Sequence, residues 1–248
     1  MTELFSHRFG TGSPRVLLLH GLSSAGPVWW RVGEALAAAG YPSAAPDLRG
    51  HGKSPRTDNY SFDGYAADVV SSHPGPWDLV IGHSLGGSVA VRAADLDPDF
   101  AAAYLLIDPA IDLDSVTLKN LRSDLVAEAE HPPSVDQLIA DHPAWNREDA
   151  VRKRASLLAT APAVMSGTCD DNPGWNVGQE LSRITMPVHI LGADIDALYT
   201  NADFERHSLR DSHLTFEVVP GTGHSIHRDD PEIVIARAQE FLGSRAVE

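Results

Sequence analysis

Ser84 lies in Gly82-His83-Ser84-Leu85-Gly86, between an apolar run at 78–82 and a helix-like stretch at 88–96. A G-x-S-x-G turn bends a strand sharply into a helix and pushes the serine hydroxyl out at its tip. The flanking glycines lack the β-carbons that would collide across so tight a bend. A serine hydroxyl is a weak nucleophile at neutral pH. It needs a general base within hydrogen-bond reach, and that base needs a carboxylate to orient it. His224, in Pro220-Gly-Thr-Gly-His-Ser225, follows the strand-like segment 214–219 and precedes a helical pattern at 231–242. That places it at the carboxyl edge of a sheet, the edge where Ser84 also emerges. Asp194 and Asp196 both follow the strand-like residues 188–191. Asp194 is the preferred acid because it lies nearer the anchored strand end, and Asp196 is the competitor. Asp108, which ends another strand-like run, is a third candidate acid, with a structural role as a cap on the loop beside Pro109 as its preferred reading.

Acyl transfer also needs donors for the oxyanion that develops on the carbonyl, each worth about 10²–10³ in rate. The amide of Leu85 starts the helix after the serine, at the positive end of its dipole. A second amide, that of Leu22, follows Gly21 in the loop His20-Gly21-Leu22-Ser23-Ser24. Gly21 allows that backbone to turn inward.

These groups need a scaffold, and the apolar rhythm supplies one. Strand-like runs at 15–20, 43–47, 78–82, 101–108, 187–192 and 214–219 alternate with helical patterns at 29–39, 65–72, 88–96, 201–207 and 231–242. Such alternation implies βαβ units: an α/β fold with a mostly parallel, twisted sheet flanked by helices. Between 112 and 182 the spacing is helical throughout, as in Leu118, Leu121, Leu125 and Val126. The expected organisation is a core of residues 1–111 and 183–248 with a helical insertion at 112–182.

Bulk properties narrow the chemistry. The chain has 248 residues, enough for one large core, and a net charge of −15. So acidic a balance argues against nucleic-acid or anionic-membrane partners and leaves a small-molecule substrate as the expected one. No apolar run approaches the roughly 20 residues that span a bilayer. The N-terminus lacks a basic segment followed by an apolar one, so a cytoplasmic location is expected. Cys169 is the only cysteine and reads as a bystander. His224 and His227 are three apart but carry no H-E-x-x-H pattern, so no metal and no cofactor are expected. Arg152-Lys153-Arg154 reads as a solvated helix face. Trp145 and Trp175 fall in the insertion, where aromatics wall pockets or pack caps onto cores. Nothing in the sequence fixes an oligomeric state.

In His20-Gly21, Asp47-Leu-Arg-Gly-His-Gly-Lys-Ser54, Gly82-His-Ser-Leu-Gly-Gly87 and Gly223-His224, taken in that order, the chain resembles the α/β-hydrolase fold superfamily. The likeness is to its small esterases, lactonases and carbon–carbon bond hydrolases, and it covers nearly the whole length. It implies the order Ser, Asp, His for a catalytic triad, a bracing role for Arg49 and His51, and a helical cap inserted after the sixth strand. A serine at the elbow sets the chain apart from the epoxide hydrolases and haloalkane dehalogenases of this fold, which carry aspartate there. Two features depart from the pattern. The commonest Gly-x-x-Asp spacing falls on Ile195, and the short N-terminus leaves room for one leading strand fewer. The expected activity is hydrolysis of a small carboxylic ester or lactone. The alternatives are carbon–carbon cleavage of diketone-type compounds, or ligand reception without turnover.

Overall fold

The computed structural model describes residues 2–208 and 213–244. Seven strands form one sheet: β1 (Ser6–Phe9), β2 (Val16–Leu19), β3 (Ser43–Pro46), β4 (Leu79–His83), β5 (Tyr104–Ile107), β6 (Val188–Ala193) and β7 (Leu214–Val219). Their spatial order is β1-β3-β2-β4-β5-β6-β7, and only the β1–β3 pair is antiparallel. β1 is the one strand with no sequence signal. Its residues, Ser-His-Arg-Phe, are mostly half-buried on the sheet edge, so they need no continuous apolar run.

The central strands β2, β4 and β5 are buried on every residue because both faces are covered. Leu17, Leu19, Val80, Leu106 and Ile190 enter one core, while Val16, Leu18, Ile81, Ile107 and Leu191 enter the other. Helices α2 (Phe62–Ser72) and α3 (Leu85–Leu96) cover the first face, and α1 (Trp30–Ala38) and α11 (Pro231–Ser244) cover the second. Trp29, wholly buried, belongs to the second core. Helix α9 (Asn201–Ser208) leads from β6 towards β7, and the short α10 (Ile226–Asp229) follows β7.

Residues 115–181, between β5 and β6, contain helices α4 (Ser115–Glu130), α5 (Val135–Asp141), α6 (Arg147–Ala159), α7 (Pro162–Asp170) and α8 (Gly178–Leu181). This segment follows the fifth strand rather than the sixth, because a single antiparallel strand leads the sheet. Asp114 caps α4 by accepting from the amides of Val116 and Thr117. Asn146 and Asp149 form a capping box at the start of α6. Each such cap contributes about 1 kcal/mol. The two ends of the segment are laced together: Leu113 N donates to Trp175 O at 3.0 Å and Val177 N to Ile111 O at 3.0 Å, beside a bridge between Asp112 and Asn176. No helix among the described residues is long and apolar enough to cross a membrane.

The strand order reverses direction around β2 and β4. The chain leaves β2 towards β3 on one side and leaves β4 towards β5 on the other. In open α/β sheets the crevice outside the carboxyl ends of two such strands is where ligands bind.

Candidate active site

Ser84 sits at that crevice, on the bend from β4 into α3, with φ 52° and ψ −117°. A backbone held there costs about 1–3 kcal/mol and persists only where its surroundings over-determine it. They do so here. A β-carbon on Gly86 would lie 2.2 Å from Leu19 O, and one on Gly82 would lie 2.5 Å from Gly86 O. Ser84 N donates to Ile107 O at 3.1 Å, and Ser84 O accepts from Gly87 N at 2.9 Å.

His224 follows β7 in a loop pinned from three sides. Gly223 N donates to Asp229 at 2.8 Å, Thr222 Oγ1 donates to Val219 O at 2.8 Å, and His83 Nε2 donates to His224 O at 2.9 Å. Burial, reinforced by the positive groups around it, holds His83 well below the usual imidazole range, so the donating ring is neutral.

The carboxylate against His224 is Asp108, at 2.6 Å from Nδ1. Asp108 is fully buried at the end of β5. One of its oxygens accepts from the amides of Ala193 and Tyr199, and the other from Leu198 N and His224. A carboxylate with four donors stays an acceptor, so Nδ1 carries the proton and Nε2 keeps its lone pair.

Neither Asp194 nor Asp196 occupies that position, and the expectation for both is corrected here. Asp194 is exposed and accepts from Gly221 N at 2.9 Å, while Asp196 lies exposed in the same loop at φ 53°. The reason lies in the register of the sheet. Ile107 on β5 pairs with His83 on β4, so the residue after Ile107 emerges beside Ser84. The loop after β6 turns its amides, rather than its own carboxylates, towards the histidine's partner. In the sequence Asp108 is a strand-terminal aspartate ranked behind the two that lie nearer His224. The signal that singles it out is adjacency: its strand neighbours the strand of Ser84.

The two expected oxyanion donors flank the same point. Leu85 N opens α3, and neither it nor Leu22 N donates a backbone hydrogen bond among the described residues. The loop of Leu22 lies directly on the elbow, since a β-carbon on Gly21 would meet His83 Nδ1 at 2.8 Å and Ser84 Cβ at 3.1 Å. His20 locks that loop, donating from Nδ1 to Gly21 O at 2.8 Å and accepting Leu48 N at 2.9 Å. Arg49 is half of a buried ion pair with Asp68 at 2.7 Å, and His51 bonds the carbonyl of Arg49 at 2.9 Å. Both therefore hold the 47–54 loop rather than face the crevice.

A cavity of about 250 Å³ opens at this point, lined by Leu22, Ser84 and His224 from the sheet edge. Leu121, Leu125, Trp145 and Trp175 close it from the helical segment. The Ser84 hydroxyl makes no hydrogen bond among the described residues. Lys153 also lines the cavity and is only 8% exposed, which overturns the solvated-face reading for the middle residue of Arg152-Lys153-Arg154. Its ammonium donates to Ser23 Oγ at 2.7 Å and to Glu128 at 3.1 Å. Arg228, on α10, is a further wall residue that sequence patterning did not single out. No group of three or more His, Cys, Asp or Glu side chains able to hold a metal occurs among the described residues.

Comparison with known proteins gives a consistent picture. The family model described as "Alpha/beta hydrolase family" matches residues 16–237. The chain is similar to the lipase LipV of Mycobacterium tuberculosis, 37% identical over 134 residues, a match that spans about half of each chain (52% and 50%). Esterase Rv0045c of the same organism is 27% identical, covering 96% of this chain and 86% of that one. Among solved structures, E-2-(acetamidomethylene)succinate hydrolase superposes with a TM-score of 0.83 at 24% identity, covering 97% of this chain and 95% of that one, which shows the shared fold.

Proposed function

We propose, for a chain that belongs to the alpha/beta hydrolase family, that its reaction is hydrolysis of a small carboxylic ester or lactone through an acyl-enzyme on Ser84. One observation carries the proposal: His224 is held by Asp108 at 2.6 Å on one side and lines the cavity it shares with Ser84. That is the arrangement a hydroxyl nucleophile requires. The esterase and lipase relatives support the bond type.

In this reading the substrate carbonyl sits over Ser84. The hydroxyl swings towards His224 Nε2, gives up its proton and attacks the carbonyl carbon. The hydroxyl–imidazole hydrogen bond forms when substrate arrives, since catalytic hydrogen bonds often close only in the substrate complex. The oxyanion forms between the amides of Leu22 and Leu85. The imidazolium, stabilised by Asp108, then returns its proton to the departing alkoxide, leaving Ser84 acylated. Water repeats the sequence: it loses a proton to His224, attacks the acyl carbon and releases Ser84. No step needs a group from outside the chain. The helical segment 112–182 acts as a cap that excludes bulk water and shapes the acyl pocket.

Labelling with a fluorophosphonate tests the proposal. Ser84 is expected to be the modified residue, and Ser84→Ala to abolish labelling and lower turnover of aryl esters by about 10⁶-fold. Wild-type protein that neither labels nor turns over any ester sinks the proposal and leaves ligand reception in its place. Turnover of a vinylogous diketo acid in preference to aryl esters moves the assignment to carbon–carbon cleavage on the same residues.

A further inference from the structure

Arg228 is 3% exposed, yet it forms no ion pair among the described residues. Its guanidinium donates to two serine hydroxyls, Ser225 at 3.0 Å and Ser24 at 3.1 Å, and stacks over the ring of Trp145 at 4.9 Å. Its Nε is buried without any partner. A buried charge of this kind costs several kcal/mol unless an opposite charge and good hydrogen bonds meet it. The carboxylates that could do so are engaged elsewhere. Asp229 accepts Trp145 Nε1 on one oxygen and Gly223 N on the other, both at 2.8 Å. Asp149 is taken by Trp30 at 2.7 Å, Arg31 at 3.5 Å and Asn146 N at 3.1 Å. Glu128 is bound to Lys153. Burial lowers Arg228 only to about 10, so it remains cationic at neutral pH.

Arg228 and Lys153 line the same cavity as Ser84, and each binds one of the two serines that follow Leu22. The cavity wall thus carries two cations, Arg228 and Lys153, and two carboxylates, Glu128 and Asp229, and of these four the guanidinium is the one with a buried polar atom left without a partner among the described residues, which an anion would meet. A carboxylate suits that demand: it is planar and offers two acceptors in parallel, the geometry a guanidinium edge recognises. The volume also fits, since a cavity of about 250 Å³ lies at the small end for ligand sites and must hold the reacting acyl group as well.

We propose that the substrate carries a free carboxylate in addition to its scissile acyl group, and that Arg228, assisted by Lys153, binds it. The proposal rests on Ser84 as the nucleophile only for its kinetic consequence, because the anion site exists whether or not the serine reacts. Glu128 keeps Lys153 positioned and offsets its charge, which leaves Arg228 as the principal anchor.

The test compares 4-nitrophenyl hemisuccinate with 4-nitrophenyl butyrate, esters of similar size that differ in the carboxylate. Wild-type protein is expected to favour the hemisuccinate in kcat/KM. A charge-assisted contact of this type supports a selectivity of about 10–100-fold. Arg228→Gln should collapse that ratio by the same factor, and Lys153→Met should reduce it less. A wild-type preference for the neutral ester, or a ratio that Arg228→Gln leaves unmoved, overturns the proposal. A second arm needs no catalysis: Ser84→Ala is titrated calorimetrically with monomethyl glutarate, alone and combined with Arg228→Gln. Binding weakened about tenfold or more by the added substitution supports the anion site even if no ester is ever cleaved, and equal or absent binding in the two proteins refutes it. Lys153→Met supplies the same comparison in both arms should Arg228→Gln not fold.

Discussion

Asp108 and Arg228 are buried to nearly the same depth near one cavity, and their charges are held in opposite ways. The carboxylate of Asp108 accepts four hydrogen bonds, three from main-chain amides and one from His224. The guanidinium of Arg228 meets two neutral hydroxyls, an aromatic face and no carboxylate. The first centre is satisfied wholly by groups of the chain, as orienting an imidazole requires. The second leaves Nε of the guanidinium without a partner among the described residues, which is the demand the proposed substrate carboxylate would meet. For this pair of buried charges, full satisfaction goes with positioning and the unmet guanidinium with the proposed recognition.

The largest effect expected from this contrast falls on Asp108. Asp108→Asn should lower kcat on aryl esters by about 10³–10⁴-fold, because a neutral amide no longer enforces the Nδ1–H tautomer. A loss under tenfold would break the comparison at its satisfied end. A smaller effect concerns pH. Burial pushes Lys153 down to about 8, against the pull of Glu128. Glu128 and Arg228 are the charged groups that face it in the cavity, with His142 close by. As pH rises through about 8 the ammonium discharges, so KM for a carboxylated ester should rise several-fold between pH 7 and 9 while KM for a neutral ester holds steady. Parallel profiles for the two esters would remove Lys153 from recognition. The stability sign is opposite: the folded state disfavours the charged amine, so this penalty applies below about 8 and fades as pH climbs towards the ordinary value of 10.5.

Arg228→Met sharpens the contrast through stability. Asp149, Glu128 and Asp229 offset part of the charge without contacting it, so replacing the buried guanidinium by an apolar chain of similar length should stabilise the protein by about 1 kcal/mol. In thermal unfolding each kcal/mol corresponds to roughly 2–4 °C of Tm for a domain of this size. A lowered Tm would show that the two serine contacts already satisfy the guanidinium. The smallest effect is assigned to Asp194→Asn, which should change kcat by less than about 3-fold, since an exposed carboxylate with one amide partner contributes little. A fall comparable to that of Asp108→Asn would reinstate it as a catalytic acid.

How much of this the sequence disclosed follows the same division. The inner strands β2, β4 and β5 announce themselves because burial on both faces favours long apolar runs, while β7, whose Thr215 and Glu217 interrupt its apolar residues, is still recovered at 214–219 residue for residue. The elbow and the histidine loop are local motifs whose glycines answer steric demands within a few residues. Asp108 is a matter of register: which strand lies beside which is a tertiary fact, and chain proximity to His224 favoured the wrong aspartates. Edge strand β1 escaped notice because it has little to bury. Lys153 and Arg228 escaped for another reason. A cation on a helix reads as solvent-facing by default, and only the packing of α6 and α10 around the cavity turns these two inward.

The lacing of Leu113 to Trp175 and of Ile111 to Val177 brings the start and finish of the helical segment side by side at the rim of the sheet. A segment whose two ends already touch can be exchanged for one of different length without stretching the strands beneath it. Such an exchange would carry away Lys153 and Glu128 and leave Ser84, Asp108, His224 and Arg228 in place. The segment therefore shapes the wall of the cavity independently of the strand-end residues, and a change in it would alter the room for substrate while leaving the proposed carboxylate anchor untouched.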